Sequence, residues 1–401
     1  MFKFIHTSDW HIGQNFYNYD RSEEQRDFLR QLADIVSQQA PDALLISGDI
    51  FHTSAPSNAA VNLYVEEMLN IRKACPDMDI IVIAGNHDSA SRLDCDRRLW
   101  QLAHVTVLGS IARNQEGKAD LDRHIIKVGD KDIKGVVAAV PFAYAASFPQ
   151  VEGHETDRDG RQQAYFQALL DQANAQNPDG LPVVLMAHLA VKDSDFTGHD
   201  RSMMECLEIG VLGEGYDYAA MGHIHRPQDV SDRARYCGTP IPVSFDEQCE
   251  HSVSIVTIDG HGSRPVVETR RIKNLKPLHT IPAGEPVDFE TALGLLQSHD
   301  PTENAYIRLN VKVQQYLPHG AQERAALAVE DKQCRLCDIK KTATMVIAER
   351  PTQLSIEEFN KMEPIEVANR YFITTTGEPM TQKQQEMFNY IYRLIQEENR
   401  Q

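Results

Sequence analysis

Seven side chains able to bind metal stand where short apolar runs end. They are Asp9 and His11 in Asp9-Trp10-His11, Asp49 in Gly48-Asp49-Ile50-Phe51-His52, Asn86 in Gly85-Asn86-His87-Asp88, a single His188, and His223 and His225 in Gly222-His223-Ile224-His225. Imidazole, carboxylate and amide donors suit manganese, iron or zinc in an open catalytic site. No cysteine joins them, so a thiolate-rich structural zinc site is excluded. Seven donors are too many for one ion and about right for two that share one carboxylate and keep positions open for water. Two ions roughly 3.5–4 Å apart suit in-line attack on a phosphoester. An Asp-x-His pair, or one histidine after an apolar strand, is commonplace in protein cores; five such endings in one chain are not.

Those endings need elements that bring them to one place. Phe2–Thr7, Ala43–Ser47, Ile80–Ala84, Pro182–Met186 and Tyr218–Met221 read as short, continuously apolar strands, the pattern of sheets buried on both faces. Helical spacing marks Glu23–Gln39 (Phe28, Leu32, Ile35, Val36), a second helix through Val61, Tyr64, Val65, Met68 and Leu69, a third over Leu93–Leu102, and a fourth near Gln162–Ala175. Alternating strands and helices define an α/β domain over 1–275, and in open α/β sheets the site lies beyond the carboxyl ends of the strands. A small α+β module follows over 276–350, with strands Leu278–Ile281, Tyr306–Val313 and Arg335–Ala343 and helices near Phe289–Gln297 and Ala321–Glu330. The region 351–401 reads as helix–loop–helix. Ser355-x-x-Glu358 and Thr381-x-x-Gln384 form capping boxes, and Leu354 with Phe359 a hydrophobic staple. One helix carries the stripe Met387, Phe388, Ile391, Leu394, Ile395. The other carries Ile356, Phe359, Met362, Ile365, Ala368 and Phe372, with Pro364 expected to bend or interrupt it. So short a pair is expected to pack back on the preceding module or to dock a partner helix.

The chain has 401 residues, 42% of them hydrophobic, enough for a large core and for two or three domains. Its formal net charge of −18 argues against holding nucleic acid by bulk charge. It leaves room for a nuclease whose metal ions and local arginines supply the positive field. Arg92, Arg97 and Arg98 form the densest basic cluster near the motifs; their plainer reading is a solvated face paired with Asp94 and Asp96. No run suits a membrane span, and His6 and Asp9 fall where a signal peptide would need its apolar stretch. Seven cysteines without framework spacing point to reduced thiols and a cytoplasmic location. Cys334-x-x-Cys337, with no second pair, reads as ordinary packing.

The stretches HTSDWHIGQNF, GDIFHTSAPSNAA, GNHDS, MGHIH and YCGTPIPVSFDE resemble the calcineurin-like metallophosphoesterases, in the branch of bacterial DNA-repair nucleases that act as one subunit of a complex with an ATPase. Phosphatases of that superfamily carry Asp-Arg after the second motif and Glu at the end of the third, where this chain has Ile50-Phe51-His52 and Asp88. The resemblance implies a β-sandwich flanked by helices, with a small capping domain. It implies two divalent ions, Mn2+ being expected: one on Asp9, His11, Asp49 and His225, the other on Asp49, Asn86, His188 and His223. His87 is then left unliganded beside the site as the catalytic imidazole, with His52 near the scissile phosphate and Asp88 orienting His87. Implied too are exonuclease action on duplex ends, endonuclease action on single strands or hairpins, a nucleoid-associated homodimer within a heterotetramer, and docking of the ATPase subunit on the C-terminal helices. Two other functions are open: a phosphoesterase acting on nucleotides or phosphoproteins, and a scaffold that regulates the ATPase.

Overall fold

The apolar runs form strands because Val, Ile, Leu and Phe fill both faces of a pleated ribbon. The first sheet holds β1 (Phe2–Thr7), β2 (Ala43–Ser47), β3 (Asp79–Ile83) and β4 (Val105–Leu108), all parallel. The second holds β5 (Ile125–Val128), β6 (Gly135–Val140), β7 (Val183–His188), β10 (Tyr218–Gly222), β11 (Gln228–Ser231) and β12 (Ala234–Tyr236), in the order β11-β12-β10-β7-β6-β5. Two residue pairs, β8 (Ala190–Val191) and β9 (Cys206–Leu207), form a ribbon beyond β7. Later in the chain β13 (Ser252–Ile258) and β14 (Val266–Arg271) complete the first sheet antiparallel, giving β14-β13-β1-β2-β3-β4. This computed structural model describes residues 1–153, 156–157, 160–197, 205–314, 316–343, 362–376 and 379–398.

Burial explains why those strands are apolar throughout. Phe4, Leu45, Ile81, Val137, Val184, Met186 and Tyr218 pack between the two sheets. Their alternates Ile5, Leu44, Ile46, Ile80 and Val82 face α1 (Ser22–Gln39), α2 (Asn58–Ala74) and α3 (Ala90–Leu102) through Phe28, Leu32, Leu63, Met68 and Leu93. Behind the second sheet, Val183, Leu185 and Met221 meet Tyr165, Phe166 and Leu169 of α4 (Arg161–Ala175). The unit is therefore a four-layered helix–sheet–sheet–helix sandwich, as expected. Each fully buried Leu or Ile contributes roughly 1.5–3 kcal/mol.

The chain divides into two units, Met1–Leu278 and His279–Gln401. Lys276, where the sequence pattern starts the second unit, is held in the first: its ammonium is buried 2.9 Å from Glu24 on α1, and Glu23 lies 3.2 Å away. The second unit contains a sheet in the order β15 (Leu278–Ile281), β16 (Tyr306–Val313), β17 (Arg335–Ala343). Against it α5 (Phe289–Gln297) and α6 (Ala321–Leu327) bury Phe289, Leu293, Leu296 and Ala325 on Ile307, Leu309 and Val311. Cys334 packs in this core, and all seven cysteines are free. Two helices follow, α7 (Pro364–Thr376) and α8 (Gln382–Glu398). Pro364 does not bend α7; it is its first residue, where a missing N–H costs nothing. The Thr381 box forms, Gln384 Oε1 accepting the Thr381 N–H at 2.9 Å. The Ser355 box, the Leu354–Phe359 staple, and Ile356 and Phe359 of the expected stripe lie outside the described residues. Met387 and Ile391 are exposed, at 57% and 48%. Among the described residues no helix is long and apolar enough to cross a membrane.

One polar residue inside the sandwich ties stability to pH. His6 on β1 is fully buried, its Nδ1 3.1 Å from the Tyr218 hydroxyl and its Nε2 without a partner. Burial first, then the charge of Arg235, lowers its pKa to about 3. The folded chain thus binds this proton less readily than the unfolded chain, so the stabilising difference is complete above pH 6.5 and is lost as pH falls toward 3. Between about pH 6.5 and 4.5 wild type should lose roughly 1 kcal/mol per pH unit more than His6→Gln. Urea midpoints of both chains across that range test this; parallel curves would remove His6 from the acid sensitivity.

Candidate metal centre

All five motif loops leave the carboxyl ends of β1, β2, β3, β7 and β10, and the loops bind one another. The Asp9 N–H donates to the Gly48 carbonyl (2.9 Å) and the His11 N–H to the Asp49 carbonyl (3.0 Å). Asp9, His11, Asp49 and His223 all have positive φ (54°, 47°, 51° and 101°). Four left-handed non-glycine residues at one site are costly conformations, held only by surroundings that leave no alternative. The two sheets meet tightly here. The His188 Nδ1–H donates to the Ser47 carbonyl (2.8 Å), and a Cβ on Gly222 would stand 1.9 Å from that same oxygen. A Cβ on Gly85 would stand 2.1 Å from Asp49 Oδ1.

This crowding gathers the seven expected donors. Atoms of Asp9, His11 and His225 lie within 4.8 Å of one another, and so do those of Asp49, His188 and His223. Asp49 Oδ2 faces both groups, 3.8 Å from His11 Nε2 and 3.5 Å from His188 Nε2. Asn86 Oδ1 closes the second group, 3.0 Å from His188 Nε2 and 2.8 Å from His223 Nδ1. The ring nitrogens of His11 and His225 lie 3.2 Å apart. Imidazoles crowded so closely around two buried carboxylates fit divalent cations better than they fit one another, and the hydrogen bond to Ser47 leaves His188 Nε2 as the nitrogen that faces Asp49 and Asn86.

The electrostatics follow from the same crowding. Burial alone would raise Asp49, but the imidazoles of His188, His11 and His87 overcome it and hold the carboxylate below its ordinary range. For His188 burial works the other way and would lower it; Asp49 prevails and raises it to about 9. Burial, with less opposition, raises Asp9 and lowers His11.

His87, His52 and His11 form a third group within 4.8 Å. The His87 ring stacks on His52 at 5.7 Å and meets the His11 ring edge-on at 4.9 Å. Asp88 does not orient His87. Its Oδ2 accepts the N–H groups of Gly85 (2.8 Å) and Ile50 (3.1 Å), and its Oδ1 that of Phe51 (2.9 Å), so it clasps the second and third motif loops together. Burial and then the charge of Asp49 push it up to about 7. The partner of His87 is the His52 carbonyl, which accepts its Nδ1–H at 2.8 Å and leaves Nε2 available. The reason is steric: adjacent side chains on a tight turn point apart, whereas the second loop lies across it.

Sequence reasoning missed Glu247. This buried carboxylate accepts the His225 Nδ1–H (2.9 Å), the Thr239 hydroxyl (3.0 Å) and the Val243 N–H (3.1 Å), fixing which His225 nitrogen faces the donors. Burial favours its neutral form, but His225 holds it lowered. Arg92 and Arg98 are exposed on α3, and none of Arg92, Arg97 and Arg98 forms an ion pair among the described residues. Asp94, expected to pair with them, instead accepts the Gly109 N–H at 3.0 Å and the Ser110 hydroxyl.

A helix–sheet–sheet–helix sandwich with such a centre is the architecture of metal-dependent phosphodiesterases. The family described as "Calcineurin-like phosphoesterase" matches residues 2–227. The curated SbcD subunit of the nuclease SbcCD from Rhodobacter capsulatus is 34% identical over 66% of this chain and 68% of its own length. The Escherichia coli SbcD is 27% identical over 91% of this chain and 93% of its own, and the Bacillus subtilis one 27% over 78% and 79%. The chain belongs to the calcineurin-like phosphoesterases and, within them, to the SbcD family.

The clasp formed by Asp88 separates stability from chemistry. Asp88→Ala leaves three backbone N–H groups without an acceptor and should cost about 3 kcal/mol or more, whereas the half-buried His87→Ala should cost under about 1 kcal/mol. Urea unfolding in a chelator compares them. Equal losses would mean that the two residues act as one unit.

Proposed function

We propose that the chain is a DNA nuclease that acts as an exonuclease on duplex ends and as an endonuclease on single strands and hairpins, working with an SbcC-type ATPase in DNA repair, recombination and replication. One observation carries this reading: likeness to SbcD runs through 91% of the chain, well past the phosphoesterase domain, over a site where one carboxylate faces two imidazole groups. A compact phosphatase has little need of the second unit.

Asp9, His11, Asp49 and His225 would hold one divalent ion, and Asp49, Asn86, His188 and His223 the other, manganese suiting this mixed donor set. When bound, the pair supplies Lewis acidity at the phosphodiester and lowers the pKa of an attacking water. His87 does the remaining proton work. Its Nδ1–H is engaged by the His52 carbonyl, so a protonated Nε2 can donate to the leaving alkoxide, which would otherwise depart at high cost. His52 stacks beside it near the phosphate, and burial, then the neighbouring His87, lower its pKa. Glu247 holds His225 in place.

Manganese titration and cleavage of end-labelled hairpin DNA test both assignments. Asp49→Ala should weaken both ions together, His11→Ala only one, and His87→Ala should lower the rate about 10²–10⁴-fold with metal occupancy intact. Turnover of p-nitrophenyl phosphate without DNA cleavage would make the enzyme a phosphatase, and loss of metal from His87→Ala would make that residue a ligand.

The ATPase is assigned to the region from residue 351, whose helices α7 and α8 leave Tyr371, Met387, Tyr390 and Ile391 exposed. An acidic nuclease that reaches DNA held by a partner, as a homodimer within a heterotetramer near the nucleoid, reconciles its charge with its substrate. A chain ending near Arg350 should keep manganese binding but fail to co-purify with SbcC. Full-yield co-purification would place the interface elsewhere.

A further inference from the structure

A cavity of about 330 Å³ opens beside the metal centre, and Asn86, His87 and His223 form one wall of it. Its other side is aromatic. Phe142 and Tyr144 follow β6, their rings edge to face at 5.2 Å, and Phe142 also stands edge-on to His188 at 6.2 Å. The backbone beneath them is fixed. The Phe142 N–H donates to the Ala84 carbonyl (2.9 Å), one residue before the third motif, and the Tyr144 carbonyl accepts the Ser147 N–H (2.7 Å) of a single helical turn. Tyr144 nevertheless leaves 70% of its surface to solvent. A large ring held on a rigid loop and left uncovered presents a flat face to whatever enters the cavity.

Charge selects the occupant. Among the described residues no lysine or arginine lines the cavity, and Glu205 adds a carboxylate, so a second phosphate finds no partner in that lining. A nucleobase does, because every base has a π-face and stacking on an aromatic ring needs neither charge nor a particular sequence. We propose that Tyr144, backed by Phe142, is the stacking platform for the base of a nucleotide adjoining the scissile phosphate in a single strand. This rests on the nuclease reading above and sharpens it. A base can turn onto Tyr144 only after leaving its own stack, which costs a few kcal/mol in a duplex and far less in a single strand or frayed end. Selection for unpaired DNA then arises within this chain, before any partner acts. Stacking also supplies affinity that salt does not screen, as suits a protein of net charge −18.

The test uses the full chain with manganese and short single-stranded oligonucleotides carrying 2-aminopurine at successive positions, read by stopped-flow fluorescence before cleavage. Wild type should quench one position strongly. Tyr144→Ala should lose that quenching and raise Kd about 5- to 150-fold, and Tyr144→Phe should restore both. An abasic site at the quenched position should weaken wild type by a similar factor and leave Tyr144→Ala unchanged. Equal Kd and quenching in wild type and Tyr144→Ala, with DNA still cleaved, would overturn the platform and leave the nuclease reading standing. No binding or cleavage of DNA by wild type would overturn both. Tight binding of free dAMP with none of the oligonucleotide would overturn the platform too, giving the cavity to mononucleotides instead of a strand.

Discussion

Close approach of the two sheets at their carboxyl edges is the constraint from which the site follows. The Ser47 carbonyl, the His188 ring and the Gly222 backbone occupy a space with no room for a further carbon. Because Gly48, Gly85 and Gly222 have no side chains, the loops after β2, β3 and β10 can sit on one another, and Asp49 can face His11 on one side and His188 on the other. Each of the two donor groups draws residues from both sheets, so the approach of the sheets is what assembles them. The left-handed conformations of Asp9, His11, Asp49 and His223 are the local cost of that approach, and the apolar packing between the sheets offsets it.

Two kinds of group support the donors. Some fix geometry without titrating: the Ser47 carbonyl on His188 and the His52 carbonyl on His87 each select which ring nitrogen remains free. Others are carboxylates, with Glu247 behind His225 and Asp88 beneath three backbone N–H groups. Only the first of these carboxylates reaches a donor. The second shapes the backbone on which Asp49 and Asn86 ride, and this is why its place within the third motif misleads.

The donors are legible in the sequence because each follows a short apolar strand, and strand ends are where an α/β sheet collects its loops. Strand and helix positions are legible for the same reason: buried runs and helical stripes leave periodic traces, and Phe2–Thr7, Phe289–Gln297, Tyr306–Val313 and Arg335–Ala343 stand where that periodicity puts them. Long-range partners leave no such trace. Nothing local to Glu247 marks it as the partner of His225, and nothing in Gly85-Asn86-His87-Asp88 reveals that Asp88 reaches back to Ile50 and Phe51 while His87 turns to His52. Short strands such as β4, β11 and β12 carry too few residues for a period to show. Pro364 reads as a break because proline disrupts a helix interior, whereas at the first position its fixed φ favours the helix.

The burial of Lys276 joins the far end of the first unit to its first helix. Two residues before the first unit ends, the backbone is clamped through this ammonium to Glu24 on α1. The next residue on that helix, Gln25, donates to the carbonyl of His11 (3.2 Å) and accepts the N–H of Gly13 (3.0 Å). The end of the first unit is thereby tied to the first turn of α1, and one side chain further on lies the loop that carries His11.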